Sequence, residues 1–245
     1  MRATIVENII AFYTDAAQSQ HIRYGESMSL KWFLNKPSHW PTVIVGKPNT
    51  ENIAFTNAGI EANNMPPFWL TENTIENTKL LESSKFRELM RWEGMWLSPD
   101  DFIKTSKKTE LTLTEVKTTS QLNNWINIAF TVLMPDKIVG SPTTQLWANS
   151  EKYIMLSGIY NNETVCTGLA LINEQTAGLY FITTLPQYQK MGFGAHLVSA
   201  LIEKCFALGA NEIILHASSA GFKLYKKLGF QSDGQLSTFW KIGKF

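Results

Sequence analysis

The chain has 245 residues, enough for one large domain or two small ones. It is 44% hydrophobic and 18% charged, the composition of a soluble globular protein, and its formal net charge of +1 gives no electrostatic reason to expect nucleic acid or a membrane surface as partner. No apolar run approaches the roughly 20 residues a membrane span needs. The opening M-R-A-T-I-V-E-N-I-I lacks an apolar secretory region followed by a small-residue cleavage site. The two cysteines, Cys166 and Cys205, sit in apolar segments and read as buried free thiols. Such usage suits a reducing compartment, so the expected location is the cytoplasm.

Taken in order, Val6, Ile9, Ile10 and Tyr13 recur at helical spacing and predict an opening helix. Short β-type runs follow at Leu30–Leu34 and Thr42–Gly46. Ile53, Phe55 and Ile60 suit a short helix between Thr50 and Asn64, weakened by Gly59 and ended by Met65-Pro66-Pro67. Phe68–Leu70 and Arg87–Leu97 read as strands. This half is rich in large rings, with Trp32, Trp40, Trp69, Trp92 and Trp96. Ser98–Thr109 is polar and turn-prone, and the domain boundary is expected there, giving residues 1–105 and 109–245.

Beyond the boundary, Glu110–Val116 alternates as a half-buried strand. Thr119–Met134 carries Leu122, Trp125, Ile126, Ala129 and Phe130 on one helical face. Tyr153–Tyr160 and Thr164–Ile172 read as strands joined at Asn161-Asn162, a favourable hairpin turn. Gly178–Leu185 is a third strand and Gly192–Leu208 a long helix with Gly209 as its cap. Glu212–His216 is a strand, Ser219–Leu228 a helix closed by Gly229, and Leu236–Ile242 a final strand.

The most informative stretch is Thr184–Leu197, T-L-P-Q-Y-Q-K-M-G-F-G-A-H-L. A strand runs into a turn at Pro186, a glycine pair follows (Gly192 and Gly194), and then the helix begins. The first N–H groups of a helix have no partners within it, and with the helix dipole they form a site for an anion, most often a phosphate. No lysine completes G-x-x-x-x-G-K-[ST], so a nucleotide-hydrolysing loop is not expected, and Leu197 stands where a dinucleotide fingerprint needs its third glycine.

The order strand, helix, three antiparallel strands, helix, strand, helix, strand resembles the GNAT N-acetyltransferase fold, an α/β (α+β) class built on a central mixed, mostly antiparallel sheet flanked by helices. Gln189-Lys190-Met191-Gly192-Phe193-Gly194 looks like that family's Q/R-x-x-G-x-G/A pyrophosphate loop. Ala217–Phe230, A-S-S-A-G-F-K-L-Y-K-K-L-G-F, is similar to its closing helix, A-x-x-L-Y-x-x-L-G-F. The aromatic front half, with W-P-T-V-I-V-G-K-P, resembles GNAT proteins that carry a second, degenerate domain ahead of the catalytic one.

The resemblance implies an acetyltransferase that uses acetyl-CoA (coenzyme A) and acetylates a small-molecule or peptide amine. Backbone amides from Lys190 through Met191, Gly192, Phe193 and Gly194 to Ala195 would hold the diphosphate, with Gln189 supporting the loop. Ile182, Thr183 and Thr184 resemble the segment whose main chain holds the pantetheine arm, and an N–H near Thr184 would polarise the thioester oxygen. Tyr225 stands at the family's tyrosine and is the candidate general acid, since a phenol stays protonated at neutral pH. Ser218 stands where relatives often have a cofactor-binding asparagine, and it reads equally well as a helix cap.

No residue stands out as general base. Tyr180–Leu185 holds no acid, Glu174 lies in a turn, and Asp233, Glu163 and His216 have no further support. His21, His39 and His196 lack ligand spacing, so no metal is expected. Two rival readings are a non-catalytic coenzyme A-binding module and a protein-interaction adaptor that uses the aromatic front half.

Overall fold

The computed structural model describes residues 1–20, 22–36, 39–105 and 109–244. His21 and residues 106–108 of the expected boundary segment lie outside the described residues. The elements up to that segment are α1 (Ala3–Gln20), β1 (Arg23–Ser27), β2 (Leu30–Leu34), β3 (His39–Trp40), β4 (Val43–Val45), α2 (Thr50–Glu61), β5 (Phe68–Glu72), α3 (Ile75–Ser83) and β6 (Phe86–Leu97). After it come β7 (Thr112–Glu115), α4 (Thr119–Leu133), β8 (Ile138–Val139), α5 (Ser141–Asn149), β9 (Tyr153–Tyr160), β10 (Glu163–Asn173) and β11 (Thr176–Thr184). A 3-10 turn (Pro186–Tyr188), α6 (Phe193–Ala207), β12 (Glu212–Ala217), α7 (Ser219–Lys227) and β13 (Gln231–Lys241) complete it. No helix among the described residues is long and apolar enough to cross a membrane.

These residues form two compact units. Met1–Met95, His216–Ala220 and Ser232–Phe245 make the first, and Trp96–Leu215 and Gly221–Gln231 the second. The first unit therefore takes in chain from well beyond the polar segment at Ser98–Thr109. Its mixed sheet runs β1-β2-β4-β5-β13-β6, with β4 and β5 parallel and β13 antiparallel to β5. Ile5, Ile9, Phe12 and Ala16 give α1 a buried stripe at helical spacing. The core gathers Leu30, Ile44, Ile53, Trp69, Phe86 and Phe239. Trp69 is fully buried, donates from Nε1 to the Gly46 carbonyl at 2.9 Å, and meets Phe86 edge-on. Truncating such a ring costs about 3–5 kcal/mol. Of the five front-half tryptophans Trp69 is fully buried, while Trp32, Trp40, Trp92 and Trp96 are half-buried.

The second unit's sheet runs β12-β11-β10-β9-β7, antiparallel except for the β11/β12 pair. Leu122, Trp125, Ala129 and Phe130 form the buried face of α4, whose start is fixed by a reciprocal cap between Thr118 and Gln121. Asn161 and Asn162 both have positive φ, as a two-residue hairpin turn matching strand twist requires. The helix α7 ends at Gly229, where φ is +99° and an added Cβ would overlap the Asp101 carbonyl oxygen. Gly229→Ala therefore combines a left-handed strain of roughly 1–2 kcal/mol with a backbone clash. Its melting temperature is expected to fall by more than 5 °C in a thermal scan.

The structure adds elements that the sequence reading left as connections. The strand β1 is an exposed edge, R-Y-G-E-S, without an apolar period. In α3 only Asn77 and Leu81 are buried. In α5 the buried side of S-P-T-T-Q-L-W-A-N is two threonines and a tryptophan, poor helix formers that packing overrides. The last strand begins at Gln231 rather than Leu236, because its first half is exposed and polar.

Candidate active site

The site is built in the second unit, where β11 stops being a paired strand. Its parallel ladder with β12 covers Thr176, Ala177 and Gly178 only, opposite Glu212, Ile213 and Ile214. From Leu179 onward no strand among the described residues pairs on that side. On the other side β11 stays on β10, with Thr183 opposite Thr167 and Thr184 opposite Cys166. Leu185 N–H donates to the Val165 carbonyl at 2.9 Å. Main-chain groups alternate sides along an antiparallel strand, so the Thr184 N–H is turned away from β10 toward the open side.

The ladder slips between Thr167 and Leu169, where Phe181 and Ile182 stand opposite Gly168 alone. This bulge holds Phe181 at φ 51°, an uncommon value for a residue with a side chain. Two features hold it there. The Thr167 hydroxyl donates to the Phe181 carbonyl at 3.2 Å, and the Phe181 ring lies against Phe130, Trp147 and Trp125 at 5.2, 5.3 and 5.8 Å. Thr183 is buried, its hydroxyl 2.8 Å from that of Thr167, so it contributes main chain rather than side chain to the open edge.

The chain then turns through Pro186–Tyr188. Gln189 donates from Nε2 to the Thr184 carbonyl at 3.2 Å and ties the turn back to the strand end. Lys190 (φ 65°) and Gly192 (φ 94°, ψ −1°) are both left-handed, and Gly192 caps α6 with no side chain over the helix start. As a result the main-chain N–H groups from Lys190 to Ala195 have no acceptor among the described residues, and the first helical bond is His196 N–H to the Gly192 carbonyl. Lys190 and Met191 are exposed, Gly192, Gly194 and Ala195 are half-buried, and Phe193 is buried. The Phe193 ring packs on Tyr160 at 5.0 Å and on Tyr188 at 6.5 Å, and the Tyr188 hydroxyl donates to Glu163 at 3.1 Å. Glu163 thus buttresses the loop. The helix α2 offers the contrast: Asn49 and Asn52 cap its start reciprocally at 2.9 and 2.8 Å.

Gly194 is where three elements meet. A Cβ built there would stand 3.4 Å from both Leu224 Cδ1 of α7 and Thr184 Oγ1 of β11. Tyr225 follows Leu224 and is 8% exposed, its ring 5.6 Å from Phe230. Burial alone raises its phenol well above the usual range, and no hydrogen bond to its hydroxyl occurs among the described residues. Ser218 is exposed in the link between β12 and α7 and falls in the first unit.

Most of the remaining candidates have structural occupations. Glu174 sits in the turn before β11, at the opposite end of the strand from Thr184. Asp233 accepts from the Arg2 N–H at 2.7 Å. His196 Nδ1 lies 2.6 Å from the Thr109 hydroxyl. His216 packs edge-on to Trp92 at 5.9 Å, and burial lowers its ring from 6.5 to about 4. Between those values the unfolded chain takes up a proton that the folded chain refuses. Stability is therefore full above pH 6.5 and drains as pH falls toward 4. The ring keeps some accessible surface, so the loss should stay below about 3 kcal/mol. Melting curves at neutral and acidic pH measure it, and His216→Asn should narrow the difference.

Sequence reasoning missed the bulge at Phe181 and the bracing of the loop by Glu163 and Tyr188. The one signal for the second was the aromatic pair Tyr188 and Phe193 flanking the glycines.

A family model described as "Acetyltransferase (GNAT) family" matches residues 120–230. The chain is similar in structure to a GCN5-related N-acetyltransferase from Kribbella flavida, at 15% identity, with 96% of each chain covered and a TM-score of 0.70. It is also similar to a functionally unknown conserved protein from Staphylococcus epidermidis, at 12% identity, covering 90% of this chain and 94% of that one, with a TM-score of 0.65. A GCN5-related N-acetyltransferase from Sphaerobacter thermophilus matches at 12% identity over 86% of this chain and 76% of that one, with a TM-score of 0.61. At such identities the likeness shows the fold alone. No curated protein matches the sequence. The family match falls on the segment that builds the open strand end, the uncapped helix and the tyrosine, so residues 120–230 form a domain of the acetyltransferase (GNAT) family.

Proposed function

We propose that the protein is an acetyl-CoA-dependent N-acetyltransferase that moves the acetyl group to a primary amine by direct attack in a ternary complex. The observation that carries this reading is the run of unpaired amides from Lys190 to Ala195 at the start of α6, beside the unladdered end of β11. Free N–H groups at a helix N-terminus suit a diphosphate, and a strand with one open edge suits an extended amide-bearing arm. The donor set therefore fits coenzyme A, which when bound supplies an acetyl thioester.

The chain's own residues then have these tasks. Amides of Lys190, Met191, Gly192, Phe193, Gly194 and Ala195 hold the diphosphate, and Gln189 fixes the turn that presents them. Main chain at Ile182, Thr183 and Thr184 holds the arm, and the Thr184 N–H donates to the carbonyl oxygen that gains charge in the reaction. The Tyr225 hydroxyl gives its proton to the departing sulfur; its raised affinity for that proton keeps it loaded at neutral pH. Ser218 is kept as a secondary contact. The amine loses its proton to water or arrives neutral, because Glu163 is engaged by Tyr188 and Glu174 lies at the far end of β11 from Thr184.

The first unit repeats the order helix, hairpin, strand, helix, parallel strand, helix, strand. We read it as a degenerate GNAT-like copy, with residues 1–105 and 109–245 as the two domains, except that β13 from the second stretch completes the sheet of the first unit. Its α2 start is sealed by Asn49, so it offers no diphosphate site. The two thiols, Cys166 and Cys205, are each pushed up to about 12 by burial and stay reduced and inert, in keeping with a cytoplasmic enzyme.

Thiol release from acetyl-CoA, followed across a diverse panel of amines, tests the reading. Saturable, amine-dependent release is expected. Tight coenzyme A binding with no turnover on any amine would favour a non-catalytic binding module instead.

A further inference from the structure

Thr167 carries the one hydroxyl in the buried run Val165–Leu171 of β10, and it is fully buried. Such a group is costly inside a sheet unless it is hydrogen-bonded. Its partners lie across the ladder on β11: the Phe181 carbonyl at 3.2 Å and the Thr183 hydroxyl at 2.8 Å. Each threonine has a single O–H, and a carbonyl can only accept. The Thr167 proton therefore goes to Phe181, and the proton between the two hydroxyls belongs to Thr183. The result is a directed relay from Thr183 to Thr167 to the Phe181 carbonyl. It ties the residue after the bulge to the residue that begins it.

The register on either side of the bulge gives this relay its importance. Before the bulge Tyr180 faces Leu169, and after it Thr183 faces Thr167 and Thr184 faces Cys166. An unbulged strand would carry the first pairing forward, setting Thr183 opposite Cys166 and Thr184 opposite Val165. The Thr184 N–H would then take the Val165 carbonyl, which now accepts from Leu185 at 2.9 Å. A slip of one residue exchanges inward and outward groups along a strand, so the open side would lose the N–H turned toward it. Phe181 sits at a positive φ that side chains disfavour, and the straight ladder competes unless something holds the bulge. The rings of Phe130, Trp147 and Trp125 grip the Phe181 side chain. The hydroxyl relay acts on the main chain itself.

We infer that Thr167 is a positioning residue for acetyl transfer: its hydroxyl holds β11 in the bulged register that turns the Thr184 N–H toward the reacting carbonyl oxygen. Being fully buried, it reaches neither cofactor nor amine. The role rests on the acetyltransferase reading above.

Thr167→Val keeps the shape of the side chain and removes the hydroxyl. Amide hydrogen exchange, followed by NMR on the full chain without cofactor, reads the register directly. The Thr184 amide should exchange freely in the native protein and be slowed by about tenfold or more in the variant, as it takes the Val165 carbonyl. With an amine found by thiol release, kcat should fall by about tenfold or more, the scale of a misplaced oxyanion donor. The Kd for coenzyme A should change by less than about threefold, because the diphosphate loop is untouched. Thr167→Ser loses only the methyl and should return both readings to native values whatever its melting temperature. A merely structural residue would show kcat following stability instead of the hydroxyl.

Native exchange at Thr184 in Thr167→Val would overturn the proposal, and so would slowed exchange with native kcat. If Thr167→Val does not fold, Thr183→Val decides: it removes the donor behind Thr167 and should give the same two changes in smaller measure, and native values there would overturn the proposal. If the unaltered protein turns over no amine, the acetyltransferase reading falls and the kcat half of the proposal with it. Exchange at Thr184 still decides whether Thr167 sets the register.

Discussion

Gly192→Val is expected to remove measurable coenzyme A binding in a calorimetric titration. Gly192 sits at φ 94° with its carbonyl accepting the first bond of α6. A β-branched residue is a genuine outlier at positive φ, and the left-handed conformation costs even an ordinary side chain roughly 1–2 kcal/mol. The chain would relieve that strain by rotating the turn, and the amides from Lys190 to Ala195 would no longer converge. Part of the effect would be on folding, so Gly194→Ala is the sharper companion. Its new methyl meets Leu224 and Thr184 at an ordinary contact distance of 3.4 Å. It also improves helix propensity by about 0.8–1 kcal/mol. The melting temperature should hold or rise, while the added atom narrows the approach between Thr184 and α7 and weakens coenzyme A binding at least tenfold. Normal affinity in both variants would remove the loop from the mechanism, and with it the acetyl-CoA reading.

Tyr225→Phe is expected to lower kcat by about a hundredfold or more, the scale of a lost general acid. The dissociation constant for coenzyme A should stay within a factor of two. The ring would remain wedged against Phe230, and the hydroxyl makes no hydrogen bond whose loss would loosen the fold. Because burial holds the proton on the phenol into alkaline pH, the native enzyme should show no alkaline fall in kcat attributable to this group. An unaltered kcat in the variant would make Tyr225 a packing residue.

The second unit was readable because its signals are local. The stripe on α4, the Asn161-Asn162 turn and the glycines before α6 each lie within one element or one turn. The strand β1, with no buried face, and α3 and α5, held by few apolar residues, carry little that a window of sequence can register. At the site, the glycine loop and Tyr225 announce themselves as residue types. The direction of the Thr184 N–H does not, because it depends on how β10 and β11 align after a bulge at Phe181 that no residue type marks. The membership of β13 in the first unit was equally silent, since a strand's neighbours across a sheet are set by contacts far apart in sequence.

That last strand has a practical consequence. β13 lies between β5 and β6, both made long before it. During synthesis the early sheet stays split until this late segment leaves the ribosome, which exposes two unsatisfied edges for the time it takes to translate the acetyltransferase region. A cut at the connecting segment would not yield two independent pieces: the leading fragment would lack an interior strand, and the trailing one would carry an orphan. Expression of either half alone is a poor way to ask what each contributes, whereas a circularly permuted gene that delivers β13 first would speed assembly.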